Sequence, residues 1–324
     1  MTVLVIGAGY IGAALIAACL RDGDRVVALD NGFATDLDAV QRLRTLGDFT
    51  FIRGDVRDRG SVDEALRIAG DVAVVHHLAA QASASPDAAA AEFTEEVNLR
   101  GPRHVIEAAV AYGRARGNLP PPVTYASSFH CYGPELTGIV DESHPYGAQG
   151  DLSHLSKIYA EKLGEMHAQR DRIRFVPVRL GIVYGVGPVM KRDRRFVTVP
   201  HAFCLRRLAG EPVTVTASGA RPLAFCHLDD AVSAMRVATI GLAPEAYAPA
   251  NAATEVLTAY DVRDAVDHEA RRIGIPVPDD GPTPETPVRF SVSSRLYGVG
   301  WEPRREMGES IAEVLTYFRE ASPA

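Results

Sequence analysis

The chain has 324 residues, 47% hydrophobic and 23% charged, enough to bury a large core in one or two domains. A net charge of -7 argues against a nucleic-acid partner, because phosphate binding needs a basic footprint. The basic cluster Lys191-Arg192-Asp193-Arg194-Arg195 is short and broken by an acid, the pattern of a solvated loop.

The cysteines Cys19, Cys131, Cys204 and Cys226 lie far apart and have no metal-ligand spacing. Reduced thiols in a cytoplasmic protein without a metal are expected. His76 and His77 are adjacent, but neighbours on a strand face opposite sides. Met1 to Leu20 is apolar, yet it lacks a basic start and carries Gly7, Gly9 and Gly12. No later run approaches the roughly twenty apolar residues of a membrane span, so no membrane partner is expected.

Strands and helices alternate from the start of the chain. Val3 to Ile6 reads as a strand ending in a glycine turn, followed by a small-residue helix to Leu20 that stops at Asp22-Gly23. Arg25 to Leu29, Phe49 to Arg53 and Val72 to His76 read as further strands. A single long helix is predicted from about Ala88 to Arg116, then a strand over Val123 to Ser127 after Pro120-Pro121-Pro122. A helix over Leu152 to Gln169 and a strand over Ile173 to Leu180 complete the regular part. Beyond Gly181 shorter elements are predicted at Val213 to Thr216 and Val288 to Val292. The pattern is an α/β, Rossmann-type doubly wound parallel sheet over residues 1–180, with 226–241 returning to it. A smaller substrate-binding region is expected over 181–324.

Gly7-Ala8-Gly9-Tyr10-Ile11-Gly12 is a GxGxxG turn between the first strand and first helix. Gly7 allows the turn, Gly9 the approach of a pyrophosphate, and Gly12 close packing, while Tyr10 and Ile11 open the helix whose N-terminus faces the phosphates. Asp30 ends the second strand, where a carboxylate can hold an adenosine ribose 2′-hydroxyl. It would repel a 2′-phosphate, so NAD(H) is favoured, with NADP(H) left open. Asn31 adjoins it on the cofactor side.

Further segments carry a resemblance: Gly54-Asp55-Val56-Arg57-Asp58, His77-Leu78-Ala79-Ala80, Val97-Asn98-Leu99-Arg100-Gly101, Tyr125 to Gly133, Gly150 to Glu161, Arg179 to Gly185 and His227 to Asp230. Together they resemble the extended short-chain dehydrogenase/reductases, the family of nucleotide-sugar epimerases and dehydratases. The resemblance implies adenine contacts at Asp55 and Val56, a cofactor trough at Leu78, Ala79 and Ala80, and support of the site by Asn98. It also implies a catalytic Ser128 and a Lys157 that holds the nicotinamide ribose. It further allows a homodimer through the helices beginning near Ala88 and Leu152.

The departures concern the chemistry. The family's tyrosine lies four residues before its lysine, and here that position is Ser153, a far weaker acid on a shorter side chain. Tyr146 lies too far back for that helical face, unless a loop brings it in, and Tyr159 should point away. His130 and His154 are the titratable candidates nearby. The family's diphosphate-binding asparagine and arginine positions hold Ile182 and Leu223, with Arg221 two residues away. Apolar groups there would leave a diphosphate unpaired.

The expected function is therefore an NAD(P)H-dependent ketoreductase acting on an apolar or aromatic, polyketide-like ketone, with Ser128, Lys157, Ser153 and His130 as catalytic candidates. It is similar in this to angucyclinone-type ketoreductases that lack the tyrosine. The alternatives are a nucleotide-sugar epimerase or dehydratase with a relocated acid/base, and a non-catalytic dinucleotide sensor.

Overall fold

Runs of Val, Ile and Leu bounded by glycine turns form one seven-stranded sheet in the computed structural model. The structure describes residues 1–83, 88–191, 193–216, 219–242, 245–281, 283–284 and 288–321. The strands are β1 (Thr2–Ile6), β2 (Arg25–Asp30), β3 (Phe49–Arg53), β4 (Val72–His77), β5 (Val123–Ser128), β6 (Phe175–Leu180) and β7 (Ala250–Ala252). Their order is β7-β6-β5-β4-β1-β2-β3, and every pairing is parallel. Such strands are covered on both faces, which explains the near-continuous burial along β1, β2 and β6. Helices Arg59–Ala69, Gly101–Ala115 and Leu152–Asp171 cover one face; Tyr10–Arg21 and Leu228–Gly241 cover the other. The strand order reverses between β1 and β4, and a crevice opens at their carboxyl ends, where doubly wound sheets bind ligands.

Beyond Gly181 some expected elements form and others do not. The segment 226–241 returns to the sheet as a helix, but Ala250–Ala252 also returns and adds the edge strand β7. Its three residues gave no periodic signal to read. Val213 to Thr216 is irregular; Val213 is held instead by its amide, which donates to Asp280 at 3.2 Å. Phe290–Val292 is a strand, paired in parallel with Gly138–Val140. A further sheet joins Ile182–Tyr184, Leu223–His227 and Glu255–Leu257.

The long helix begins at Ala91 rather than Ala88 and is not one α-helix. A π turn over Glu96–Arg100 separates Ala91–Glu95 from Gly101–Ala115. Pro102 has no amide to give the Asn98 carbonyl four residues earlier, so the ladder slips there. Leu155, Tyr159 and Met166 are exposed along one side of the Leu152–Asp171 helix. No helix among the described residues is long and apolar enough to cross a membrane. All four cysteines are buried free thiols.

Candidate functional site

The crevice is built on the glycine turn. Gly7 has φ +96°, and a Cβ there would lie 2.3 Å from the Ala79 amide nitrogen. At Gly12 a Cβ would meet the Gly7 carbonyl oxygen at 1.9 Å. Gly9 differs: a Cβ would meet only Thr35 Oγ1, at 3.5 Å, so the space beside it belongs to the cleft. Gly9 caps the Tyr10–Arg21 helix without a side-chain acceptor and no acid stands in the first turn, which leaves the helix N-terminus to an anion. The backbone on the opposite wall is fixed by the amides of Leu78 and Ala79, which donate to the Ile6 carbonyl at 2.7 and 2.8 Å. These features fit a dinucleotide: an open glycine face, free first-turn amides and a carboxylate at the end of β2.

That carboxylate, Asp30, also braces the turn. Its oxygens accept from the Ala8 amide and the Gly32 amide, each at 2.7 Å, and from Thr35 Oγ1 at 3.3 Å. Burial raises its pKa, against the pull of those donors. Tyr10, Ile11, Asn31, Val56 and Ala80 line the same cleft. Asp55 does not; it is drawn back to Arg57 at 2.9 Å and accepts from Asn31 Nδ2 at 2.9 Å. Burial pushes Asp55 up, and the Arg57 and Asn31 hydrogen bonds more than reverse it.

Asn98 also stands outside the cleft lining. Its Oδ1 accepts from the Gln81 amide and its Nδ2 donates to the Gln81 carbonyl, each at 2.8 Å, and Nδ2 also donates to Ser156 Oγ at 3.0 Å. It therefore clamps the loop after Ala80. Sequence reasoning missed the aromatic end of the cleft. There Phe33 lies 4.5 Å from Phe93 and 6.1 Å from Phe196, centroid to centroid. The far segment carrying Phe196 reaches back because Ser83 Oγ donates to the Arg195 carbonyl at 2.7 Å. No local periodicity signals such a return. In the basic cluster, Lys191 lines the cleft, Asp193 and Arg195 pair at 2.6 Å, and Arg192 lies outside the described residues.

The catalytic candidates Lys157 and Ser153 are each tied to a backbone carbonyl. Lys157 Nζ donates to the Ala126 carbonyl at 2.7 Å and lies 4.8 Å from the Tyr125 ring centre. Burial pushes it down to about 8, although Glu161 pulls upward. Ser153 is buried, and its hydroxyl donates to the Gln81 carbonyl at 3.1 Å. Among the described residues no hydrogen bond joins Ser128, Ser153 and Lys157 to one another. Tyr146 does not enter; its hydroxyl donates to the fully buried Glu161 at 2.9 Å, and Glu161 pairs with Arg179 at 2.7 Å. Tyr159 is exposed, as its helical position requires.

The structure brings Ser128 and both histidines together. Ser128 Oγ lies 3.3 Å from His130 Nδ1 and accepts from the His130 amide at 3.2 Å. The His130 ring stacks on His154 with centroids 4.3 Å apart and planes 2° from parallel. His154 Nδ1 lies 2.6 Å from Asp151. Burial, with His154 beside it, pushes His130 down to about 4, so it is neutral at pH 7. The Ile182 and Leu223 positions are half-buried on neighbouring strands, and Arg221 pairs at 2.9 Å with Glu135, both exposed.

Residues 3–247 match the sequence profile of the NAD dependent epimerase/dehydratase family. A UDP-glucose 4-epimerase of Bacillus subtilis is 27% identical over 191 residues, a match covering 58% of this chain but only 54% of that protein. A putative UDP-glucose 4-epimerase of Methanocaldococcus jannaschii is 22% identical over 97% of this chain and 96% of its own. Among solved structures, the UDP-glucose 4-epimerase of Thermus thermophilus in complex with NAD is 26% identical, with TM-score 0.80, over 99% of this chain and 100% of that one. The UDP-glucose 4-epimerase of Thermotoga maritima with UDP-glucose is 21% identical with TM-score 0.81 over 99% of both, a likeness of fold.

Proposed function

Because the chain belongs to the NAD dependent epimerase/dehydratase family and is an enzyme of the short-chain dehydrogenase/reductase type, we propose that it is a ketoreductase working without a phenolic acid. The observation that carries this is the commitment of Ser153 to the Gln81 carbonyl, which leaves Ser128 and His130 as the proton-carrying pair. The substrate is a ketone on an apolar or aromatic, polyketide-like molecule, since Ile182 and Leu223 offer a diphosphate no partner. Asp30, facing the ribose end, favours NAD(H) over NADP(H).

A dinucleotide held by the Gly7–Gly12 turn and Asp30 would supply the hydride for the carbonyl carbon. Ser128 holds the carbonyl oxygen and gives its proton as negative charge develops there; His130, when charged, restores the proton to Ser128. A hydroxyl beside the ketone can share the load through an internal hydrogen bond. Since His130 is pushed down to about 4, its charged form grows as pH falls, so reduction should accelerate from pH 8 toward the acid limit of stability.

The test is loss of NADH and NADPH absorbance with aromatic polyketide ketones, beside conversion of UDP- and dTDP-sugars. Ketone turnover supports the reading. Conversion of a sugar nucleotide without any ketone turnover overturns it in favour of an epimerase or dehydratase, the reading favoured by the likeness to the B. subtilis enzyme. Cofactor binding with neither reaction would make the chain a sensor.

A further inference from the structure

The cleft is lined by two charged side chains among the described residues, Asp30 and Lys191. Asp30 is satisfied by its amide donors. Lys191 is not: among the described residues no carboxylate stands within salt-bridge distance of its ammonium, and its contact is the Tyr10 ring, 5.7 Å from Nζ to the centroid. Burial pushes it down to about 8 with no opposing acid. A desolvated cation without a partner is costly, and the natural remedy is an anion.

Its position is set by a strap that comes from beyond β6. Tyr10 donates its hydroxyl to the Gly185 carbonyl at 2.7 Å. Gly187 then lies against the same ring, where a Cβ would come within 3.4 Å of Tyr10 Cε2 and 2.8 Å of Leu228 Cδ2. The Gly187 amide donates to Met190 Sδ at 3.2 Å, and the Ser83 hydroxyl holds the far end at Arg195. Lys191 thus lines the same cleft as the glycine turn, beside the ring of Tyr10, the first residue of the uncapped helix.

We propose that Lys191 is a ligand for the pyrophosphate of the bound dinucleotide, adding an ion pair to the amides of the Gly9–Ile11 turn. This rests on the reading of the cleft as a dinucleotide site. The charge-assisted bond explains how an acidic chain balances a dianion in a cleft whose other charged side chain, among the described residues, is a carboxylate.

Calorimetric titration of the wild type, Lys191→Met and Lys191→Arg with ADP-ribose, adenosine and 2′-phospho-ADP-ribose tests it. The expected result is at least a roughly tenfold weaker ADP-ribose affinity in Lys191→Met, unchanged adenosine binding, and substantial recovery in Lys191→Arg. The melting temperature should not fall, since the half-buried Lys191 gives up no ion pair among the described residues. Equal ADP-ribose affinities, or an equal loss for adenosine, overturn the assignment. A loss confined to the 2′-phosphorylated ligand overturns it in favour of a 2′-phosphate contact. Failure of the wild type to bind ADP-ribose overturns the dinucleotide reading itself, a distinct outcome.

Discussion

Ser153 and Ser128 carry the same functional group in opposite circumstances. Ser153 is buried and gives its proton to a carbonyl that already accepts from Asn98. Ser128 is partly open and touches a ring nitrogen. Ser153→Ala should keep kcat/KM for ketone reduction within about threefold and cost about 1 kcal/mol in urea unfolding, the worth of one neutral hydrogen bond. Ser128→Ala should lose about a hundredfold or more in kcat, with a stability cost of about 1 kcal/mol because the His130 amide loses its acceptor. Equal losses of kcat in the two variants would remove the distinction. At this scale the glycine turn was legible, because Gly7 and Gly12 are imposed by contacts with Ala79 and with the turn itself. The bond from Ala8 to Asp30 and the approach of Lys191 were not, since both depend on where distant backbone arrives.

The helix from Ala91 to Ala115 shows an element shaped for its neighbour. The π turn at Glu96–Arg100 is where Asn98 clamps the Gln81 backbone, so the slip in the ladder coincides with a support of the cleft. Asn98→Ala would leave the Gln81 amide buried without its acceptor. A loss of about 1–3 kcal/mol is expected in chemical denaturation, together with weaker cofactor affinity because the loop after Ala80 is released. An unchanged midpoint would mean that water replaces the amide. Hydrophobic spacing predicted this helix but could not resolve the π turn, whose cause, Pro102, is compatible with the first turn of an ordinary helix. The short strands at Gly138–Val140 and Ala250–Ala252 escaped for a related reason: three residues are too few for alternation to register.

Over the whole molecule, burial keeps a set of histidines neutral. His76 and His77 are pushed down to about 3, and His130 and His201 to about 4. Each has a folded pKa below the roughly 6.5 of an unfolded chain. As pH falls below that value the unfolded chain takes up protons that the native state refuses, so stability drops between pH 6.5 and about 4. Each such histidine contributes about 1.4 kcal/mol per pH unit. His77→Phe tests this, since among the described residues neither ring nitrogen has a hydrogen-bond partner and the ring packs 5.4 Å from Tyr125. The variant should show a shallower decline in urea midpoint from pH 7 to pH 5 than the wild type. A parallel decline would place the acid sensitivity elsewhere. The parallel sheet was readable in outline, because buried β-branched runs and glycine turns recur with helical spacing between them.

The two larger sheets are stitched together by the backbone at more than one place. Only Gly181 separates β6 from Ile182–Tyr184, and only two residues separate β7 from Glu255–Leu257. Gly181 itself is pressed so closely that a Cβ would lie 2.9 Å from the Ala224 carbonyl. A clamshell opening would have to stretch both seams at once. Ligand traffic should therefore leave both sheets standing still, as a fixed doorframe.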